Sequence, residues 1–254
     1  RDRFGVKPLY YTIDNGILYF SSEISPLVSI SSSLTKNLTF FNNFIKHTAT
    51  DYDRTTQFNE ILQVEKGSFV SFKQKKKEVV KWYKEDDFKF DRSIFSNKER
   101  TINYYEELLT DAIKLRLRAD VPVCLTLSGG LDSATIYTLL KEKIKKEVKV
   151  FSFHNNEEEI SETAKISRLT KEYGDYPCFI TANPNDTLKD LEKDLNSLEF
   201  PIWGLSSRAY NEIYQQIKNS NFKVIIEGHG ADEFLGGYPF MIDSAISDYL
   251  KELK

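Results

Sequence analysis

Two short segments carry the residues with most chemical potential. The first is Ser128-Gly129-Gly130-Leu131-Asp132-Ser133. The apolar run Val121 to Leu127 precedes it, and Ile136, Leu139, Leu140 and Ile144 follow at helical spacing, which predicts strand, turn and helix. Backbone N–H groups of such a turn converge on one concavity, and the helix N-terminus adds partial positive charge. Gly129 and Gly130 leave room for a phosphate where a Cβ would stand, and Ser128 and Ser133 offer hydroxyl donors. Asp132 repels a bare phosphate, so its expected role is to hold a Mg²⁺ that travels with a nucleotide. The plain alternative is a tight turn in which Asp132 and Ser133 cap a helix. The segment lacks the Gly-Lys-Ser/Thr of a Walker loop and the second glycine pair of a dinucleotide loop.

The second segment runs Gly228-His229-Gly230-Ala231-Asp232-Glu233-Phe234-Leu235-Gly236-Gly237-Tyr238, again after an apolar run, Phe222 to Ile226. In open parallel sheets, ligands bind beyond the carboxyl ends of strands where the strand order reverses. If strands 121–127 and 222–226 are neighbours there, Asp132 and Asp232 face one crevice, and two carboxylates at a polyphosphate share a Mg²⁺. The competing reading is a glycine-rich turn whose acidic residues cap the next helix.

The elements that must position these loops alternate in type. An amphipathic helix is expected from Thr101, with Tyr105, Leu108, Leu109, Ala112, Ile113 and Leu117 on one face. Strands are expected at 121–127, 148–153, 177–181 and 222–226, and helices from the glycine turn to about Lys143, then at 161–173, 186–198 and 206–217. Alternation of this kind predicts an α/β domain, a parallel sheet covered on both faces. Residues 1–87 differ. Leu9 to Ile13 and Ile17 to Phe20 flank Asp14-Asn15-Gly16, a hairpin signal, and 68–72 is expected to pair with 79–83 around a tip at Lys75-Lys76-Lys77. A short helix is expected from Phe40 to Thr48, and 85–97 reads as polar and irregular, so the domain boundary falls in a linker at 88–100 before a domain at 101–254.

Bulk properties narrow the classes. The 254 residues suffice for one large or two modest domains, and 40% hydrophobic with 29% charged residues is ordinary for a globular protein. A formal net charge of -3, with basic and acidic residues interspersed, argues against a nucleic-acid partner. Two cysteines, Cys124 and Cys178, each in an apolar run, argue for core thiols and a reducing, cytoplasmic setting over a disulfide scaffold. No apolar stretch approaches a bilayer's thickness, so no membrane role is expected. The three histidines lack metal-ligand spacing, and His47 and His154 read as structural or exposed. Phe153, ending the second strand, is placed either against an adenine or in the core. With Arg1 first and Met241 as its one methionine, the chain is expected to lack its natural N-terminus.

Taken together, these segments resemble class II glutamine-dependent asparagine synthetases. Arg118-Ala119-Asp120-Val121-Pro122-Val123 leading into Ser128 to Ser133 is similar to that family's pyrophosphatase-type nucleotide loop, and Gly228 to Glu233 with Gly236-Gly237-Tyr238 is similar to its second signature. Arg1-Asp2-Arg3-Phe4-Gly5-Val6-Lys7-Pro8-Leu9-Tyr10-Tyr11, then Phe20-Ser21-Ser22-Glu23, resembles the later part of its glutaminase domain. The resemblance implies a doubly wound parallel sheet of the adenine-nucleotide alpha-hydrolase (PP-loop) type after a partial N-terminal-nucleophile glutaminase domain. It implies ATP and Mg²⁺, with Ser128, Gly129, Gly130, Asp132 and Ser133 at the phosphates and Thr126, Leu127 and Phe153 near the adenosine. Gly228 would line the nucleotide site, and Asp232 would support Mg²⁺ and pyrophosphate. The implied reaction turns a carboxylate such as aspartate into an acyl-adenylate, releasing pyrophosphate, and glutamine-derived ammonia then displaces AMP. A homodimer is compatible with this reading.

Departures from the family pattern qualify the substrate. The nucleophilic cysteine, the glutamine-binding residues and the later helical region with its lysine fall outside the chain, so the fragment is expected to be inactive alone and weakly stable. The family usually has Ser-Gly-Glu-Gly where this chain has Glu227-Gly228-His229-Gly230. His229 thus takes the place of an acidic residue linked to the amine nucleophile, and imidazole accepts a proton near neutral pH. Glu227 is a new acidic group placed to pair with it. A β-lactam-synthetase-like ligase, closing a ring with an internal amine, and a non-catalytic nucleotide-binding remnant are the alternatives. Thiolation and GMP-forming relatives fit less well, since they lack the hairpin-rich N-terminal part and the second signature.

Overall fold

The computed structural model of the chain describes residues 1–48, 53–84, 91–154, 162–181, 187–201 and 206–252. Contacts gather the chain into two units: Arg1–Arg92 with Thr187–Ser207, and Ser93–Asp186 with Arg208–Lys254.

In the first unit, β1 (Tyr10–Asp14) and β2 (Ile17–Ser21) pair antiparallel, and β3 (Leu62–Gln63) joins the other edge of β1. Asn15 and Gly16 both take positive φ, 49° and 77°, the backbone that the Asn-Gly signal predicts for a turn matching strand twist. Helix α1 (Ser25–Ile30) was not anticipated, and α2 (Leu38–His47) starts two residues earlier than expected because Asn37 accepts a hydrogen bond from the Phe40 N–H. Tyr10, Ile24, Leu27 and Ile61 form the buried core here.

The second hairpin corrects the expected register. Strand β4 (Ser68–Lys73) pairs with β5 (Lys76–Lys81), so Lys76 and Lys77 lie opposite Lys73 and Phe72 rather than at the tip. The tip is Gln74-Lys75, with φ of 52° and 63°, a left-handed pair built without glycine or asparagine. Trp82 and Tyr83 lie beyond β5, their N–H groups donating to the Gly67 carbonyl.

The segment Thr187–Ser207, which the sequence pattern places with the later helices, packs within the first unit. It contains α6 (Thr187–Leu198), and the reason for its placement lies just beyond. Phe200 packs near Tyr10 and Phe40, with ring centroids 6.3 and 6.1 Å away. Glu199 accepts hydrogen bonds from the N–H groups of Ile24 (2.6 Å) and Ser25 (2.8 Å), capping α1. The adjacent expected start at Asp186 lies outside the described residues, as do residues 85–90 and the helix start expected at Ser161. The described end of the expected irregular stretch is ordered: Arg92–Ser96 makes a 3-10 turn, and α3 (Lys98–Arg116) begins after Asn97, whose side chain accepts from the Arg100 N–H.

The second unit is built on four parallel strands in the order β8-β7-β6-β9. They are β6 (Val123–Thr126), β7 (Lys149–Phe153), β8 (Cys178–Ile180) and β9 (Val224–Ile226). Their side chains alternate between two buried clusters. Leu125, Val150 and Ile226 pack with Ile113 of α3, with Tyr137 and Leu139 of α4 (Leu131–Leu139), and with Ile166 of α5 (Thr163–Glu172). Cys124, Phe151 and Ile180 pack with Ile213 and Ile217 of α7 (Ser206–Asn219). Helices therefore cover both faces, which explains why the strands read as near-continuous apolar runs. Helix α4 continues as a π-turn, Leu140–Ile144, and ends where Lys145 turns left-handed at φ 57°. Beyond the last strand, α8 (Ala231–Leu235) is the helix that the competing reading of the second loop places there, with Asp232 and Glu233 in its first turn, and α9 (Pro239–Glu252) was not anticipated. No described helix is long and apolar enough to cross a membrane.

Candidate functional site

Strands β6 and β9 pair parallel, with Leu125 opposite Ile226, so the two chemically rich loops leave the sheet side by side. Their contact is close. A Cβ added to Gly228 would lie 3.0 Å from the Ser133 nitrogen and 3.3 Å from the Asp132 Cβ. Position 228 therefore admits little more than a hydrogen. A Cβ at Gly237 would collide with the Asp232 carboxylate, so that side chain would have to move.

In the first loop, Gly129 takes φ +79°, and a Cβ there would stand 2.8 Å from the Glu162 Cβ, so conformation and space both demand glycine. Gly130 is the N-cap of α4 and has no side chain to cap the first turn, which leaves that turn's N–H groups without a side-chain acceptor. The two serines are hydrogen-bonded within the loop. Ser133 is buried; its hydroxyl accepts from the Ser128 N–H (3.2 Å) and reaches the Gly130 carbonyl (3.3 Å), while the two hydroxyls lie 3.0 Å apart. The Ser128 hydroxyl also accepts from the Gly130 N–H at 3.3 Å. With Ser128 donating to Ser133 and Ser133 to Gly130, both protons serve to shape the loop. The donors left for an anion are backbone N–H groups and the positive end of α4.

Asp132 and Asp232 are both half-buried, and both stand near the phenol of Tyr238. That phenol is pushed up by its 2.9 Å hydrogen bond to Glu233 first, then by slight burial, and then by the charges of Glu233, Asp232 and Asp132. Among the described residues, no group of three or more His, Cys, Asp or Glu side chains forms a metal site. Mg²⁺ does not require one: it is typically held by one or two carboxylates, with phosphate oxygens and waters completing six ligands. Asp132 and Asp232 are carboxylates of the type that mode uses.

The remaining expected residues divide. Thr126 ends β6 with its hydroxyl donating to Glu227 at 3.1 Å. Leu127 is 1% exposed and sits in the core cluster with Ile113 and Val150, so its side chain is no part of a nucleotide surface. Its burial follows from the strand alternation that also buries Leu125. Phe153 ends β7 partly buried against the Cys124–Phe151 cluster. His154 is structural: its N–H donates to the Ile180 carbonyl and its ring nitrogen Nδ1 lies 2.7 Å from the Thr163 hydroxyl. Cys124 is fully buried, and burial, followed by the charge of Glu227, raises its thiol to about 11. Cys178 is only half-buried.

Around His229 the structure assembles a cluster that sequence reasoning found only in part. The expected pairing is present, with His229 Nδ1 lying 3.3 Å from a Glu227 carboxylate oxygen. Tyr210 and Tyr214, from α7, were missed. Tyr214 donates to both Glu227 oxygens at 3.2 and 3.1 Å, and burial, then the charge and hydrogen bond of Glu227, raises its phenol well above the ordinary range. The Tyr210 hydroxyl lies 3.2 Å from His229 Nε2. The i, i+4 tyrosine pair is visible in sequence, but only the sheet order reveals that it faces the loop after β9.

A parallel sheet with two glycine-rich loops meeting at the carboxyl ends of adjacent strands, one opening an uncapped helix, defines an α/β protein with a crevice of the kind that suits an anion. Comparison with known families makes the class specific. Residues 104–253 match the asparagine synthase model, and residues 1–83 match the glutamine amidotransferase domain model. The chain belongs to the asparagine synthase family. It is 26% identical over 261 residues to amidase chry2 of Gibberella zeae, covering 96% of this chain and 38% of that protein. It is 25% identical over 238 residues to the glutamine-hydrolysing asparagine synthetase 1 of Bacillus subtilis, covering 94% and 37%. With asparagine synthetase 2 of the same organism it shares 27% over 261 residues, covering 96% and 35%. The chain thus spans a little over a third of the length of these curated relatives.

Proposed function

We propose that the chain forms the nucleotide-binding part of an ATP-dependent, AMP- and pyrophosphate-forming ligase that makes an amide from a carboxylate and ammonia. In this reading residues 1–87 are glutaminase-like, 88–100 link, and 101–254 form a synthetase domain of the doubly wound PP-loop type. The observation that supports it most is the apposition of Gly228 on Ser133 and Asp132, which sets the second loop against the N-terminus of α4.

The backbone N–H groups at Gly129 to Ser133 receive the polyphosphate, and the α4 N-terminus favours negative charge as pyrophosphate departs. Asp132 and Asp232 would hold Mg²⁺, which when bound would neutralise phosphate charge. Thr126 and Phe153 border the nucleoside side of the crevice at the ends of β6 and β7. The substrate carboxylate oxygen attacks the α-phosphorus, and the α–β phosphoanhydride bond breaks. His229, exposed beside the loop, takes the proton that the attacking amine must lose.

The test uses the full-length protein with ATP, Mg²⁺, ammonium and a panel of carboxylates headed by aspartate, with nucleotide products separated and Asp132→Ala as control. AMP and pyrophosphate appearing with one carboxylate and lost in the variant is the expected result. ADP as product, or no turnover despite ATP binding, would refute the reading.

A further inference from the structure

Glu227 is held by more than its backbone. Thr126 donates to Oε1 at 3.1 Å, and Tyr214 donates to the carboxylate at 3.1–3.2 Å. These contacts fix the carboxylate plane and leave Oε2 3.3 Å from His229 Nδ1. The Glu227 side chain is 22% exposed and that of His229 62% exposed, so the carboxylate is the anchored partner and the imidazole the accessible one. A carboxylate at this distance favours a proton on Nδ1, which leaves Nε2 bare. Bare Nε2 then accepts from the Tyr210 hydroxyl at 3.2 Å, with the Tyr210 and imidazole rings 5.5 Å apart and tilted by 49°.

We infer that Glu227, His229 and Tyr210 form a proton relay at the mouth of the crevice, with Glu227 as the positioning residue that sets the tautomer of His229. Resting on the adenylation reading above, the relay acts in the second half-reaction. The lone pair of the amine forms the new C–N bond with the acyl carbon. The C–O bond to AMP breaks, its electron pair remaining on the phosphate oxygen. The amine proton passes to the Tyr210 oxygen while the proton of Tyr210 passes to Nε2, and the resulting imidazolium is stabilised by Glu227. The nucleophile that fits is a small neutral amine, since the relay accepts a proton and the exposed end of the cluster is aromatic, with Tyr210 and Tyr214 6.2 Å apart.

The experiment reads the tautomer first, without substrate, by ¹⁵N NMR of full-length protein labelled at histidine, with His229→Gln to assign the signal. The expected result is a protonated Nδ1 and a bare Nε2 at His229, the reverse of what an isolated histidine favours, and loss of that preference in Glu227→Ala. An Nε2-protonated ring in the unaltered protein, or an unchanged tautomer in Glu227→Ala, overturns the inference. In turnover, Tyr210→Phe, which removes one oxygen and keeps the ring, should lower the ratio of amide formation to carboxylate-driven ATP–pyrophosphate exchange by about 100-fold. The same ratio as in the unaltered protein sinks the relay. Absence of exchange in the unaltered protein counts against the adenylation reading alone, because the tautomer is read independently of it.

Discussion

Replacing Gly129 with alanine isolates two physical demands made at one atom. The residue sits at φ +79°, and an alanine Cβ there would lie 2.8 Å from the Glu162 Cβ. The left-handed backbone costs a non-glycine residue about 1–2 kcal/mol. Forcing a methyl group into occupied space costs about 1–3 kcal/mol more. The sum, about 2–5 kcal/mol, corresponds to a fall of about 4–20 °C in melting midpoint for a protein of this size. The second term depends on Glu162 and the first does not, so a double-mutant cycle separates them. Glu162→Gly alone should be close to neutral, because Glu162 precedes α5 without making a side-chain cap. Combined with Gly129→Ala it should recover about 1–3 kcal/mol and leave the backbone term in place. Urea unfolding of the four proteins measures each corner. A Gly129→Ala protein as stable as the parent would refute the geometry, and a coupling of zero would show that Glu162 does not stand over the loop.

Three further outcomes follow from buried polar groups. Lys141 is 8% exposed, its ammonium 2.8 Å from Asp175, which also accepts from the Tyr137 hydroxyl at 2.7 Å. Burial favours the neutral amine, yet the hydrogen bonds that the ammonium donates to Asp175 and Glu147 outweigh it and hold its pKa above the ordinary range; Lys141→Met should therefore destabilise by about 3–5 kcal/mol in urea, and a loss within error would deny the network. The Cys124 thiol, at about 11 against an ordinary 9.0, stays protonated while the unfolded chain ionises, so stability should fall as pH rises from 9 toward 11. Disulfide-exchange labelling at pH 8 should modify half-buried Cys178 first and Cys124 only on unfolding, and equal rates would contradict the burial.

Much of the second unit was legible because its strands and helices obey simple periods. Buried strands such as Val123–Thr126 are apolar on both faces, and the glycine-rich turns mark where each gives way to a helix. What escaped was non-local. Nothing around Glu199 announces that it caps a helix 174 positions earlier, and nothing around Gln74-Lys75 announces a left-handed turn that strand pairing imposes. At the site, the glycines and Asp132 could be named from the turn chemistry alone. The serine hydroxyls could not be assigned, since Ser128 and Ser133 satisfy each other as readily as a phosphate. Tyr210 and Tyr214 look like any amphipathic helix face until β9 is placed beside β6.

That placement also has a temporal consequence. Thr126 and Glu227, which share a hydrogen bond at the carboxyl ends of the neighbouring strands β6 and β9, are 101 positions apart in the chain. At a synthesis rate of roughly 5–20 residues per second, the first glycine-rich loop leaves the ribosome about 5–20 s before its partner exists. During that interval β6 has β7 and β8 on one side and an unpaired edge on the other, with the backbone groups of Val123 to Leu125 awaiting β9. The strand that brings the second loop to the first is thus also the one that pairs the open edge of β6, so the two loops should meet late and in one step as the chain is made.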